Sequence, residues 1–273
     1  APPRAMTDEE DDASNPAFAP AAAIAKDTAI TGGHVHGAHG SVVSQFLSPR
    51  INKRTDRWGG STINERARFL RAVIRAIRDA VGPTFPIGLK LNSTDFQHGG
   101  FDEDESMQVL QMMQQDSVDL VEISGGSYEA RAMFDGANQP RSNEAFFLDY
   151  AEKARARVDM PLMVTGGFRT RAIMEQSIAS GWLDVVGMAR PFTNNTRVAR
   201  QLLDGEIDKA SDPPPILGLT RLKGAGAAGM SVVQMAAIAN GRDPTERFSG
   251  LRVLFAVAKH ELSALKRAKK PHA

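Results

Sequence analysis

Five short apolar runs separated by amphipathic segments are what most constrains the fold of this chain. GGHVH (32–36), PIGLKL (86–91), VDLVEI (118–123), PLMVTG (161–166) and DVVGMA (184–189) are strand-length, and Gly, Pro or polar residues flank them. Near-continuous apolar runs of that length are expected of strands buried on both faces of a parallel sheet. Helical patterns lie between them. From Asn64 to Val81, Phe69, Val73 and Ile77, with Leu70, Ile74 and Val81 one step round, recur at three- and four-residue intervals until Gly82-Pro83 stops the run. Asp102 to Gln115 opens on acids and carries Met107, Leu110 and Met113 or Met112 on one face. A third helix is expected after Ser142, with Phe146, Phe147, Tyr150 and Ala154. Such alternation predicts right-handed βαβ units, in either an open doubly wound sheet or a (β/α)8 barrel.

Composition narrows the function classes. The 273 residues, 42% of them apolar, suffice for a sizeable core, and 33 basic against 32 acidic residues leave a net charge of +1. That balance argues against a polyanionic partner, so no nucleic acid is expected. The basic tail Lys266, Arg267, Lys269, Lys270 reads as a solvated helix end. No apolar run approaches the roughly 18 residues that would span a bilayer, and no basic-then-apolar leader opens the chain, so no membrane contact and a cytoplasmic location are expected. The chain has no cysteine. Disulfides, thiolate nucleophiles, Cys-ligated zinc and Cys-ligated iron–sulfur clusters are therefore excluded.

In a barrel, functional groups sit at the C-terminal ends of strands. No G-x-G-x-x-G follows any of these strands, which weakens the dinucleotide-fold alternative. His36 and His39 close the first strand, Lys90 and Asn92 the second, Ser124, Gly125 and Gly126 the third. Thr165, Gly166 and Gly167 close the fourth, and Gly187, Met188, Ala189 and Arg190 the fifth. Glycines there let backbone N–H groups approach an anion and Arg190 adds a forked donor, which reads as a phosphate cradle; equally, such glycines make tight turns. His36 and His39 could bind a metal, donate hydrogen bonds to a substrate oxygen, or serve structure alone. A hydrolytic metal site using His34, His36 and His39 lacks convincingly placed carboxylates, Glu122 and Asp95 being the obvious ones, so no metal is expected.

HGAHGSVVSQFLSPRINKRTDRWGGS resembles the signature of the old yellow enzyme family of FMN-dependent NADH:flavin oxidoreductases, and IGLKLNSTDFQHGGF, VDLVEISGGSYE, PLMVTGGFRTR and DVVGMARPF extend the resemblance to about residue 205. The resemblance implies a (β/α)8 TIM-barrel flavoenzyme. It would reduce small activated alkenes, enones or nitroalkenes, with NADH or NADPH as reductant and FMN as hydride carrier. By position, His36 and His39 match the pair that grips the substrate oxygen. Lys90 matches the cation beside the flavin, and Gly166, Gly167, Ala189 and Arg190 match the phosphate-binding loops.

Four departures shape the expectation. Ser41 stands where the family has a proton-donating tyrosine, and its hydroxyl is too weakly acidic to inherit that role, so water is the expected donor. Only about five of eight barrel strands are expected, PPRAMTDEE resembling the lead into the third helix. Pro16 and Pro20 fall where the family has an uninterrupted helix, at about 3 kcal/mol for an interior proline. GGSTINER is one residue longer than the family's pattern. The expected organisation is a partial barrel over 1–205 that binds flavin and a C-terminal helical and loop extension over 206–273 packed on it. A catalytically silent fragment or interaction protein is the alternative, and exposed sheet edges make a homo-oligomer possible.

Overall fold

The computed structural model describes residues 6–126, 144–211, 223–244, 255, 258 and 259. Strands β1 (Gly33–Gly37), β2 (Ile87–Asn92), β3 (Leu120–Ser124), β4 (Leu162–Thr165) and β5 (Val185–Gly187) form one sheet in sequence order, each neighbouring pair parallel. Each apolar run has thus become a strand. Strictly sequential order is barrel connectivity, whereas a doubly wound sheet reverses order at a switch point. Among the described residues β1 and β5 are the outer strands, so the sheet they form is an open, partial (β/α) barrel.

Helices α1 (Asp8–Asp27), α2 (Val42–Leu47), α3 (Ile63–Arg66), α4 (Arg68–Val81), α5 (Glu103–Gln115) and α6 (Leu148–Arg155) belong with the sheet. The expected stripe of α4 is buried throughout: Phe69, Leu70, Val73, Ile74, Ile77 and Val81. The helix expected from residue 64 is nevertheless two pieces. Thr62 and Glu65 form a capping box that starts α3, and the joint at Ala67 follows Arg66, whose guanidinium turns inward. α6 begins at Leu148, later than expected, because Phe147 is its N-cap and Phe146 precedes it.

Pro16 and Pro20 do not interrupt α1, which is helical from Asp8 to Asp27. α1 lies along α4, and Lys26 Nζ donates to the Val81 carbonyl at the end of that helix (2.8 Å), so tertiary packing holds a helix that local propensity disfavours.

Burial on both faces largely holds for β2 and β3, where Asn92, Glu122 and Ser124 are buried, but not for the outer strand β1. Val35, Leu89, Leu91, Val121, Ile123, Leu162 and Val164 alternate along the strands and are buried. The opposite face carries a cross-strand row, His36, Lys90, Glu122, Met163 and Val185, fixed by register. His34, Asn92, Ser124 and Thr165 project from that same face, on which His34 and His36 are exposed.

The chain divides into two compact units, 1–168 with 175–187, and 169–174 with 188–273. Helix α7 spans Arg171–Ala179. The second unit contains α8 (Arg190–Asn194), α9 (Val198–Leu203) and α10 (Lys223–Ala239). Val198, Leu202 and Ala210 form a small core there with Met174, Met188 and Ile207, beside an antiparallel bridge between Thr170 and Lys209.

Candidate functional site

Three expected residues, His36, His39 and Lys90, come together on the polar face. Register places His36 directly opposite Lys90. The His36 and His39 rings meet edge to face with centroids 5.5 Å apart. His39 lies just past β1 in a left-handed conformation (φ 60°), uncommon for a residue with a side chain. The Asn92 side-chain oxygen accepts from its backbone N–H (3.3 Å), and Asn92 Nδ2 donates in turn to Asp95 Oδ1 and the Gly126 carbonyl, both at 3.0 Å.

Two residues of β3 complete the arrangement. Glu122 Oε1 takes the Lys90 ammonium at 2.5 Å, while Oε2 lies 3.2 Å from His34 Nε2. Ser124 Oγ lies 2.8 Å from His39 Nε2. His34 reaches Glu122 by passing over β2 at Gly88, where a Cβ would stand only 2.5 Å from His34 Nδ1. The sequence offered Glu122 merely as a poorly placed metal ligand. Its period-two spacing from Ser124 is the signal that puts both on one face.

The electrostatics follow from these contacts. Burial would raise the Glu122 pKa, but hydrogen bonds from His34 and Lys90 outweigh it and hold the carboxyl at about 2. Burial, then the Lys90 charge, then His36, depress His39 to about 4. His36 is lowered by burial and Lys90, against a smaller opposing pull from Glu122. At neutral pH the face therefore presents an ammonium–carboxylate pair flanked by two neutral imidazoles. Among the described residues no three His, Asp or Glu side chains converge as metal ligands.

The serine at the tyrosine position is committed elsewhere. Ser41 is the N-cap of α2, and its hydroxyl donates to the His36 carbonyl at 2.7 Å.

The expected phosphate-binding residues divide. Gly166 and Gly167 follow β4 with φ of 153° and 82°, and a Cβ would come within 2.8 Å of the Phe147 ring at one and 2.7 Å of the Phe146 ring at the other. Aromatic packing alone thus demands glycine at both. Ala189 and Arg190 lie in the second unit, at the N-cap and first residue of the short α8.

Known proteins place the chain in a family. The family model described as NADH:flavin oxidoreductase / NADH oxidase matches residues 1–208. An NADH-dependent flavin oxidoreductase (iliE) of Hypocrea jecorina is 37% identical over 202 residues, 71% of this chain and 50% of that relative. An NADH oxidase of Thermoanaerobacter brockii is 33% identical over 188 residues, 69% of this chain and 28% of the relative. The chain thus spans at most about half the length of these relatives. Among solved structures, a 2-naphthoyl-CoA reductase in complex with 2-naphthoyl-CoA aligns with a TM-score of 0.71 at 30% identity, over 77% of this chain and 32% of that one. Morphinone reductase (TM-score 0.61, 22% identity, 78% of this chain and 54% of that one) shares the fold. With sequence, strand order and relatives in agreement, the chain belongs to the NADH:flavin oxidoreductase / NADH oxidase family.

Proposed function

We propose that the polar face of the sheet is the reducing site of an FMN-dependent oxidoreductase that draws on NADH and reduces activated alkenes such as enones and nitroalkenes. The convergence of one cation, Lys90, with two neutral imidazoles, His36 and His39, at neighbouring strand ends carries this reading. FMN, when bound, supplies the hydride transfer. The donor set suits that cofactor, since an ammonium held at a fixed point stabilises negative charge in a reduced ring.

His36 and His39 bind the acceptor oxygen. Ring centroids 5.5 Å apart allow two N–H groups to meet one oxygen, and neutral rings donate those hydrogen bonds without carrying a competing charge. Lys90, pinned by Glu122, would supply the positive charge that stabilises the reduced flavin. In the first unit Gly166 and Gly167 are proposed phosphate ligands through their backbone N–H groups, and in the second unit Ala189 and Arg190 are proposed for the same role through a backbone N–H and the guanidinium. The Ser41 hydroxyl is occupied by the His36 carbonyl, so water delivers the proton to the substrate carbon.

The test is oxidation of NADH by FMN-loaded protein with 2-cyclohexenone as acceptor. His36→Ala and His39→Ala should each lower kcat/KM for the enone by about tenfold or more, the equivalent of one lost hydrogen bond in the transition state, and Ser41→Ala should not. Unchanged turnover in both histidine variants, or a collapse in Ser41→Ala, contradicts the assignment.

A further inference from the structure

Lys90 and His39 share one feature: each meets a side chain of β3. Glu122 and Ser124 are two residues apart on β3, so both side chains emerge on the polar face. Glu122 faces Lys90 in the register, and Ser124 faces Asn92, the residue that anchors the His39 backbone. Both are buried, at 8% and 6% exposure, so water does not compete freely for their polar atoms.

We propose that β3 is the positioning strand of the site: Glu122 fixes the Lys90 ammonium, and Ser124, by donating its hydroxyl proton to His39 Nε2, sets His39 in the tautomer that carries its proton on Nδ1. The inference rests on the reading of His39 as an oxygen-gripping donor. A neutral imidazole has one N–H and one lone pair. If Nε2 gave its proton to Ser124, Nδ1 would be an acceptor and would repel a carbonyl or nitro oxygen. With Ser124 as donor, Nδ1–H becomes the hydrogen-bonding edge. Free imidazole side chains prefer the opposite, Nε2–H form, so the Ser124 contact reverses an intrinsic preference. His39 is neutral at working pH because of its burial and the Lys90 charge, so the choice of tautomer is a real one.

Glu122 acts on charge rather than tautomer. Its carboxylate contacts Lys90 through one oxygen and His34 through the other, which prevents the ammonium from swinging toward the exposed His36. The charged and titratable groups bearing on this point are His34, His36 and His39 from β1 and its end, Lys90 from β2, and Glu122 itself from β3.

Side-chain 15N and 13C NMR on the 273-residue chain, with no flavin added, tests both halves. In the wild type the His39 Nδ1 should resonate as a protonated nitrogen and Nε2 as an unprotonated one, and the Glu122 carboxyl should stay ionised until about pH 2. Ser124→Ala should move His39 toward Nε2–H and leave His36 unmoved, while Ser124→Thr keeps the wild-type pattern. Glu122→Gln should lower the titration midpoints of His36 and His39, since the carboxylate raises both. An Nε2–H tautomer in the wild type, or a Glu122 carboxyl titrating in the ordinary range, overturns the proposal even if neither variant folds. Failure of the chain to bind flavin would overturn the function reading and leave these results standing.

Discussion

Burial and the Lys90 charge keep His39 neutral down to about pH 4, against 6.5 for an ordinary histidine. The unfolded chain therefore binds this proton more readily than the folded one. Stability contributed by His39 is fully present above pH 6.5 and is lost as pH falls from 6.5 through about 4. Chemical denaturation across that window should show a declining midpoint, and His39→Gln should flatten the decline. A variant that declines as steeply as the wild type contradicts the buried, neutral assignment. Legibility at this scale is split. His36, His39 and Lys90 could be picked from the sequence because polar residues close apolar runs there, as functional groups do in barrels. Glu122 sits inside the run VDLVEI, and only cross-strand register reveals that it meets Lys90 and His34. His34 likewise needs the absent side chain of Gly88 to reach across.

At the scale of elements, Arg66 ties three segments together. It is 1% exposed, its Nε donates to the Leu47 carbonyl at 2.8 Å, one Nη donates to the Ser61 carbonyl at 2.9 Å, and the other pairs with Glu105 at the start of α5. α2, the turn before α3, and α5 are thus clamped by one side chain. Arg66→Ala strands the half-buried Glu105 carboxylate and two carbonyls and should cost about 3 kcal/mol or more in urea unfolding. Arg66→Lys should recover little, because an ammonium cannot reproduce the fork. Near-wild-type stability in Arg66→Ala would sink the clamp. The apolar stripe of α4 was legible from periodicity, but the joint at Ala67 was not, because nothing in the repeat marks an arginine turning inward. α1 shows the converse case: two interior prolines disfavour the helix locally, and packing along α4 with the Lys26 contact preserves it.

For the molecule as a whole, sequential parallel strands account for the agreement between motif order and architecture. The five runs appear in the sheet in the order they appear in the chain. What the runs could not convey was the asymmetry of the sheet, apolar on the face holding the buried alternate residues and polar on the face holding His36, Lys90 and Glu122. Strands read as largely apolar because the polar residues are only one or two per run and fall at a period that only register resolves. Among the described residues no helix is long and apolar enough to cross a membrane. The polar face lies within one compact unit, so flavin binding there can be examined on this chain.

The most direct measurement is a fluorescence titration of FMN with the purified 273-residue chain, beside Lys90→Ala and with circular dichroism to confirm folding. The expected result is saturable quenching of flavin fluorescence by the wild type, weakened in Lys90→Ala by about tenfold, the loss of one well-placed charged contact. A folded wild-type chain that leaves the fluorescence unchanged, or a Lys90→Ala variant that binds equally well, would contradict the assignment of the polar sheet face as the flavin site.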